Sequence, residues 1–360
     1  MVKAKIRIKD IAEQAGVSVG TVDRVLHNRG EVAEETKRKI LEIAKENNYQ
    51  PNLIARALTS KKQCIFASLL PTPSEEDIFW KRPLNGISDA ALELEQFQVQ
   101  VENFFFEHYN EKDFVKQTEA ILKLQPAGVV FSPIFKKESL EFVRKLEAKE
   151  IPYVFLESKI EDCNYLAYVG SDGYHGGRVA ANLIDFGVAP SDDILIVNLA
   201  KDLENIHHLK QRTQGFLDYF MDHGKNDGLK ITIEIPSSST VEIQNKLDSI
   251  LQDNNKIKAI FITGSKVYKI AQYLIKIQRE DIILIGFDPI NENIKYLNKG
   301  TINFLIGQHP YQQGFKSVKT LFEHVMLHNK ISRDEILPVD ILNRESVKLY
   351  PALKNFNENS

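Results

Sequence analysis

The sequence predicts an α/β protein, in which an all-helical head precedes a two-lobed body of doubly wound parallel sheets. Residues 8–47 show helical periodicity broken by a glycine, and beyond residue 62 short apolar runs alternate with amphipathic stretches. Alternating β and α elements are typical of parallel sheets with helices on both faces. The length of 360 residues suits two or three units rather than one core.

The composition is that of a globular protein, with 43% hydrophobic and 26% charged residues. No apolar run approaches the roughly 18 residues that a membrane-spanning helix needs. The basic N-terminus lacks an apolar export segment, which predicts a cytoplasmic location. Cys64 and Cys163 are far apart and have no metal-like spacing, so we expect idle thiols in a reducing compartment.

Charge is distributed unevenly along the chain. Residues 1–62 hold 13 Lys and Arg against 8 Asp and Glu, whereas the remaining residues hold 33 and 41. The head therefore carries a net charge of +5 and the rest −8, within a total of −3. This asymmetry favours contact between the head and a polyanion, although many domains carry such a charge without binding one.

Two short helices joined by a glycine are predicted at the start of the head. Apolar residues recur at helical spacing in residues 8–15, Gly16 interrupts them, and the pattern resumes over residues 19–26. Gly16 can adopt the positive φ of a tight turn, and Ser18 can cap the second helix. This is the helix-turn-helix plan, which presents its second helix to the DNA major groove. The exposed face of that helix would carry Val19, Gly20, Thr21 and Arg24.

A third helix is predicted from about Ala33 to Asn47, with Ile40, Ile43 and Ala44 facing inward. A last helical segment covers residues 52–59 after an Asn cap and is only two turns long. Isolated helices shorter than about 12 residues are marginal in water. We therefore expect this segment to order only against a second subunit or DNA.

In the body, strand-like apolar runs alternate with helical patterns in two sets that divide near residues 186–191. Ligands of open α/β sheets bind at the carboxyl ends of the strands, so a cleft between two lobes is the expected site. The predicted strands are residues 65–70, 99–106, 128–132, 153–156, 194–199, 231–235, 259–262 and 282–287. In the first set, helices are predicted at residues 87–94, 114–124 and 140–149.

The head resembles the headpiece of the lactose-repressor (LacI/GalR) family over almost all of residues 6–60. The matching segments are Ile8-Lys9-Asp10-Ile11-Ala12, Ala15-Gly16-Val17-Ser18, Thr21-Val22-Asp23-Arg24-Val25-Leu26, Val32, Thr36, Asn48-Tyr49-Gln50-Pro51-Asn52, Ala55 and Leu58. One departure is Asp23, which stands where the family usually has Ser. Its carboxylate would pair with Arg24 or accept from a cytosine amino group.

The resemblance implies roles for individual head residues. Val19 and Gly20 occupy the positions that vary with operator sequence, and Arg24 would read a base, since Arg pairs bidentately with guanine. Leu58 would wedge into the minor groove, with core packing in the linker as the alternative. The remaining implied contacts are Ser18, Thr21, Asn28 and Thr36 to phosphates, and Asn52 and Ala55 within the hinge segment.

The body resembles the effector domain of the same family, which is similar to periplasmic binding proteins of type I. The matching segments are Val169-Gly170-Ser171-Asp172 through Gly176-Gly177, Arg212-Thr213-Gln214-Gly215-Phe216, Ile285-Gly286-Phe287-Asp288 and Ile306-Gly307-Gln308. A departure lies at Thr263-Gly264-Ser265, where family members often have Asn-Asp. With fewer strong hydrogen-bond acceptors in this segment, the effector would be a different sugar from those of such family members, or no sugar at all.

The resemblance implies that Asp172, Arg212, Asp288 and Gln308 line the cleft and bind a hydroxyl-rich ligand. Phe79 and the only tryptophan, Trp80, follow the first strand and would stack on the apolar face of a sugar. Other interpretations stay open. Asp172 would alternatively cap a helix, Arg212 would form a surface ion pair, and Trp80 would belong to the core of a lobe.

These patterns predict the following domains. A helix-turn-helix domain covers residues 1–50, a hinge and linker 51–62, the effector-binding body 63–345, and a C-terminal tail 346–360. Within the body, one lobe would comprise about 63–188 plus 309–329, and the other about 189–308 plus 330–345.

The predicted function is a transcription regulator, with repressor-like DNA binding controlled allosterically by a small molecule. Its expected partners are near-palindromic double-stranded operator DNA, a carbohydrate effector and a second copy of the chain. We expect no cofactor, metal, membrane or catalytic role, because no nucleophile or metal motif is present. The adjacent His207 and His208 are expected to be solvated. The alternative is a sugar-binding transport protein without a DNA role.

Overall fold

The chain divides into two compact units, the head (Met1–Thr59) and the body (Ser60–Ser360). Within the described residues, no helix has both the length and the apolar character needed to cross a membrane. The computed structural model describes residues 6–26, 30–47, 49, 63–74, 78–199, 207–225, 227–236, 239–251 and 254–350.

The head contains the first three predicted helices, α1 (Ile8–Ala15), α2 (Val19–Leu26) and α3 (Glu34–Glu46). The helical segment predicted at residues 52–59 lies outside the described residues. Helix α1 ends at Gly16, whose φ of +72° lies in the left-handed region that favours glycine. Helix α2 begins with the predicted cap, because the Thr21 amide donates to Ser18 Oγ at 3.1 Å. The helices enclose a small apolar core of Ile11, Ala12, Ala15, Val22, Val25, Ile40 and Ala44.

The body alternates strands and helices as predicted. The strands are β1 (Cys64–Pro71), β2 (Val99–Phe106), β3 (Gly128–Phe131), β4 (Tyr153–Leu156), β5 (Ala167–Gly170), β6 (Asp193–Leu199), β7 (Lys230–Ile235), β8 (Ile257–Ile262), β9 (Ile283–Phe287), β10 (Phe304–Gly307), β11 (Asp334–Ile336) and β12 (Asp340–Leu342). The helices are α4 (Lys81–Leu94), α5 (Glu111–Leu124), α6 (Lys136–Ala148), α7 (Gly173–Asp185), α8 (His207–Asp222), α9 (Thr240–Leu251), α10 (Val267–Lys276), α11 (Asn291–Lys299) and α12 (Pro310–Val325).

These elements form two lobes, each built on a six-stranded sheet. The first sheet has the order β11-β5-β4-β3-β1-β2 and the second β12-β10-β9-β8-β6-β7. All described strand pairs are parallel except β10 with β12. Helices α4, α5, α6 and α12 cover the first sheet, and α7 to α11 cover the second. The fold is therefore the predicted doubly wound, two-lobed one.

The eight strands predicted from sequence are present, with ends shifted by at most two residues. Four strands were not predicted, namely β5, β10, β11 and β12, and each has only three or four residues. Strands β11 and β12, of three residues each, carry too little periodicity to be recognised, whereas β5 and β10 are as long as the predicted β3 and β4 and were overlooked.

The predicted lobe boundaries are wrong in two places. Helix α7 packs in the core of the second lobe through Ala180, Ala181 and Ile184, so the chain crosses before residue 173 and not near residue 188. Strand β11 pairs with β5 in the first sheet, although residues 330–345 were assigned to the second lobe. The chain therefore crosses between the lobes three times, before α7, between β10 and α12, and between β11 and β12.

The C-terminal tail predicted from residue 346 is also wrong in its first part. Residues Ser346–Leu349 form a 3-10 turn. Val347 and Tyr350 are buried in the core of the second lobe. Residues 351–360 lie outside the described part of the chain.

Helices α7 and α8 approach so closely that only glycine fits at their crossing. A Cβ atom on Gly177 would lie 2.0 Å from the Arg212 carbonyl oxygen, and one on Gly215 1.9 Å from that of Tyr174. This contact explains why glycine occurs in both sequence segments that resemble the family. It also fixes the position of Arg212 on α8.

Candidate functional site: a cavity between two lobes and an exposed helix of the head

The body contains a cavity at the carboxyl ends of strands from both sheets. Glu157 follows β4 in the first lobe, Asp288 follows β9 in the second, and Gln308 follows β10 at a crossing between the lobes. This is the place where open α/β sheets bind ligands. The lining residues are Phe79, Trp80, His108, Tyr109, Ile134, Glu157, Ser158, Leu199, His208, Leu209, Arg212, Gly264, Ser265, Lys266, Asp288 and Gln308.

Five of the six effector-site residues predicted from sequence line this cavity, namely Phe79, Trp80, Arg212, Asp288 and Gln308. The sixth, Asp172, is not in its lining. Its carboxylate accepts the His175 amide at 3.0 Å and lies 2.9 Å from the His175 ring nitrogen. Asp172 therefore caps α7, as the alternative interpretation expects, and its predicted contact with an effector stays a prediction.

One wall of the cavity is aromatic. Phe79 and Trp80 lie in a 3-10 turn, Ile78–Trp80, immediately before α4. Their rings meet edge to face, with centroids 5.2 Å apart. Trp80 also packs in the core of the first lobe, so the same side chain lines the cavity and belongs to the core.

Arg212 lies at the base of the cavity and is only 3% exposed, so a surface ion pair does not apply to it. Its guanidinium donates to the Thr263 carbonyl at 2.6 Å and to Gln308 Oε1 at 2.5 Å. Its centre lies 3.9 Å from the Phe287 ring centroid. The Nε atom has no hydrogen-bond partner among the described residues. Burial lowers the pKa of Arg212, and the carboxylates of Glu157 and Asp288 oppose this effect.

Gln308 links the charged groups of the site. Its amide nitrogen donates to both carboxylate oxygens of Asp288, at 3.0 and 3.1 Å. Its oxygen accepts from Arg212 and, at 3.0 Å, from the hydroxyl of Ser171 on another crossing segment. A glutamine at this position can serve a cation and an anion at the same time.

The turn that carries Asp288 is held rigidly. Asp288 has a φ of +64°, which is unusual for a residue other than glycine. The Asn293 amide donates to the carbonyls of Ser265, Phe287 and Asp288, at 2.7, 3.1 and 2.8 Å. These bonds fix two cavity segments, one after β8 and one after β9.

Glu157 is a cavity residue that the sequence analysis missed. Its side chain is 7% exposed, and the Nδ1 atom of His208 lies 3.7 Å from its Oε1 atom. Burial raises the pKa of Glu157 to about 7, although Arg212 opposes the shift. Glu157 comes directly after the predicted strand β4, so the strand-end rule applied to every strand would have found it. His208, which we expected to be solvated, also lines the cavity.

The head presents the predicted face of α2. Ser18, Val19, Gly20 and Arg24 are exposed, and Val19 is 49% exposed despite its apolar side chain. Thr21 and Thr36 are half-buried near the starts of α2 and α3. Burial, and to a lesser extent the charge of Asp23, raises the pKa of Tyr49. The predicted contacts Asn28, Asn52, Ala55 and Leu58 lie outside the described residues.

Comparison with known families separates the chain into the same two parts. Residues 7–52 match the bacterial regulatory proteins of the lacI family, and residues 66–329 match the periplasmic binding protein domain. The chain belongs to the lacI family of bacterial regulatory proteins.

Similar proteins agree with this membership along the whole length. The ribose operon repressor of Lactococcus lactis subsp. lactis is 26% identical over 95% of this chain and 98% of its own. The HTH-type transcriptional regulator RegA of Clostridium saccharobutylicum is 26% identical over 94% of this chain and 98% of its own. These lacI-family relatives are named as transcription regulators and not as enzymes.

Solved structures match the body. A protein from Bacteroides fragilis assigned to the LacI transcriptional regulators is 28% identical, has a TM-score of 0.74, and covers 80% of this chain and 100% of its own. A glucose-galactose binding protein from Geobacillus stearothermophilus, GanP, shares the fold with a TM-score of 0.70 at 22% identity, covering 79% of this chain and 99% of its own. In the described residues of this lacI-family chain, no cluster of His, Cys, Asp and Glu could hold a metal ion.

Proposed function

We propose that this protein binds operator DNA through its head, and that its affinity for the operator falls or rises when a small molecule occupies the cavity of the body. The observation that carries the proposal is the joint presence, on one chain, of an exposed recognition helix and a cavity with converging polar groups. We further propose that the protein acts in the bacterial cytoplasm, where operator DNA is found.

The cavity chemistry supports a sugar or sugar derivative as the effector. Phe79 and Trp80 offer aromatic faces for the apolar side of a sugar ring. Asp288 and Glu157 offer carboxyl oxygens to hydroxyl groups, and Arg212 holds the opposite charge nearby. Two proteins similar in fold or sequence are named for ribose or for glucose and galactose, in agreement with this class.

The head chemistry supports recognition in the major groove. Arg24 would read a base, while Val19 and Gly20 would fit the base edges and tune specificity. Ser18, Thr21, Asn28 and Thr36 would hold phosphates and set the register. Asn52, Ala55 and Leu58 would belong to a hinge segment that enters the minor groove.

We propose a homodimer on a near-palindromic operator, because two identical heads contact two half-sites related by the same symmetry. Ligand binding would change the arrangement of the two lobes, and residues 51–62 would pass the change to the paired heads. A coupling free energy of roughly 1–3 kcal/mol would alter operator affinity about 5- to 150-fold.

The proposal is tested with the purified full-length chain in two assays. A thermal-shift screen covers monosaccharides, sugar acids, sugar phosphates and nucleobases, and selection from random duplexes identifies a DNA site. We expect one ligand class to raise the melting temperature and a near-palindromic sequence to be enriched. Arg212→Ala should abolish the ligand-induced shift in melting temperature without changing operator affinity. Arg24→Ala should abolish operator binding without changing the ligand-induced shift.

The two assays separate this function from the transport-type alternative. A sugar-binding transport protein would respond in the thermal-shift screen but enrich no DNA sequence. Failure to enrich any sequence would overturn the DNA-binding proposal. A normal ligand response in Arg212→Ala would remove this residue from the effector site.

A further inference from the structure

Arg82 is a buried cation that crosses from one lobe to the other. It belongs to α4 in the first lobe, two residues after Trp80, and it is 7% exposed. Its Nη2 atom donates to the carbonyl of Pro289 in the second lobe at 2.6 Å. This bond joins residues 207 positions apart and lies beside the cavity, because Pro289 follows Asp288.

The surroundings of Arg82 in the second lobe are suited to a cation. Burial lowers the pKa of the Arg82 guanidinium, while Asp288 and, more weakly, Tyr350 oppose the shift. The carbonyl that it reaches belongs to a rigid turn, since Asn293 holds the adjacent Asp288 carbonyl at 2.8 Å. The contact therefore ties the aromatic wall of one lobe to a fixed turn of the other.

Loss of this contact has different consequences when the lobes are together and when they are apart. With the lobes together, a neutral side chain at position 82 would leave the Pro289 carbonyl without this donor and would remove one of the two buried positive charges near Asp288, the other being Arg212. Removing the donor of a buried, charge-assisted hydrogen bond leaves its acceptor desolvated and unpaired, which is destabilising. With the lobes apart, water hydrates the same groups, so the open arrangement loses nothing.

We infer that Arg82 is an interlobe latch that holds the lobes together across the cavity and positions the Phe79–Trp80 wall against the Asp288 turn. Arg82 does not line the cavity. It acts as a positioning residue for the effector site, and in this respect the inference rests on the proposed function. Ligand exchange requires the latch to open.

Trp80 allows a test that needs neither ligand nor DNA. It is the only tryptophan of the chain, it is 5% exposed, and it lies in the wall that the latch positions. Acrylamide quenching of its fluorescence, measured on the folded full-length protein, reports how often the cavity opens. Circular dichroism and the melting temperature show whether each variant is folded at the temperature of the measurement.

Arg82→Met is expected to raise the open population roughly tenfold or more, and acrylamide quenching with it, because a charge-assisted hydrogen bond is lost. Arg82→Lys keeps the charge and should give intermediate quenching. Lys81→Met is the matched control, since it removes a neighbouring but exposed charge and should quench like the wild type. A purely structural role would lower the melting temperature of Arg82→Met without raising quenching in the folded state.

If Arg82→Met does not fold, the neutral and shorter Arg82→Gln gives the same measurement. Wild-type quenching in folded Arg82→Met or Arg82→Gln would overturn the latch. That result would not contradict the proposed function. Conversely, a failed ligand or DNA screen would not contradict the role of Arg82 as a latch.

Discussion

Glu157 has lost most of the water that would normally stabilise its charge. Its usual pKa of 4.5 is raised to about 7 by burial. The unfolded chain ionises this carboxyl near pH 4.5, whereas the folded chain keeps it protonated until about pH 7. The folded state therefore binds more protons in this window, and the contribution of Glu157 to stability falls as the pH rises through it.

Glu157→Gln should remove this pH-dependent loss. Between pH 4.5 and 7 the wild type should lose up to about 3 kcal/mol of unfolding free energy that the variant keeps. Denaturant titrations followed by Trp80 fluorescence at pH 5 and pH 8 measure the body specifically. Glu161→Gln is the control, since the Glu161 side chain is 63% exposed and should follow the wild type. Equal pH dependence in wild type and Glu157→Gln would contradict the buried, protonated carboxyl.

Among the secondary-structure elements, the crossing of α7 and α8 bears most directly on the site. The two helices meet at Gly177 and Gly215 with almost no space between backbones. Arg212 lies on α8 at this crossing, so its reach to Thr263 and Gln308 depends on how closely the helices pack. An added methyl group would push α8 away from α7 and displace the guanidinium.

Gly177→Ala should destabilise the body by about 3 kcal/mol or more, because overpacking a tight contact costs about 1–3 kcal/mol and here the obstacle is backbone. Gly176→Ala is the matched control. Its Cβ would lie 3.3 Å from carbon atoms of the Phe287 ring, which is close but adjustable. Denaturant unfolding compares the two variants. If Gly176→Ala proves as destabilising as Gly177→Ala, backbone proximity is not the reason for glycine at position 177.

The whole molecule places a recognition helix and a ligand cavity in separate units of one chain. Each unit has its own apolar core, with seven buried residues in the described part of the head and large clusters on both faces of each sheet in the body. The cavity can control DNA binding only if the ligand-free and ligand-bound states of the body differ in their effect on the paired heads. Variants that alter only one unit should therefore separate the two activities.

Leu58→Ala should weaken operator binding and leave ligand affinity unchanged, because the family resemblance gives Leu58 a minor-groove role. Operator titrations, together with ligand-induced thermal shifts of the same preparation, measure both quantities. Loss of both activities together would argue for the core-packing alternative.

The local elements of this protein were predictable because their signals lie in adjacent residues. Gly16 and Ser18 mark the turn and the cap of the head, and apolar runs mark the longer strands of the body. Family resemblance placed Asp288 and Gln308 in the cavity, and the strand-end rule applied to β4 would also have placed Glu157 there. Family resemblance supplied Arg212, which no local pattern distinguishes from a surface arginine.

By itself, the sequence determined the helices of the head, the two wound sheets and five residues of the cavity wall. The tertiary structure decided which lobe receives α7 and β11, and it showed that Asp172 caps a helix. It also decided the contact of Arg82 with the second lobe and the raised pKa of Glu157. The physical reason is range: caps and periodicity act between near neighbours, whereas packing, desolvation and charge pairing act between residues that only the folded chain brings together.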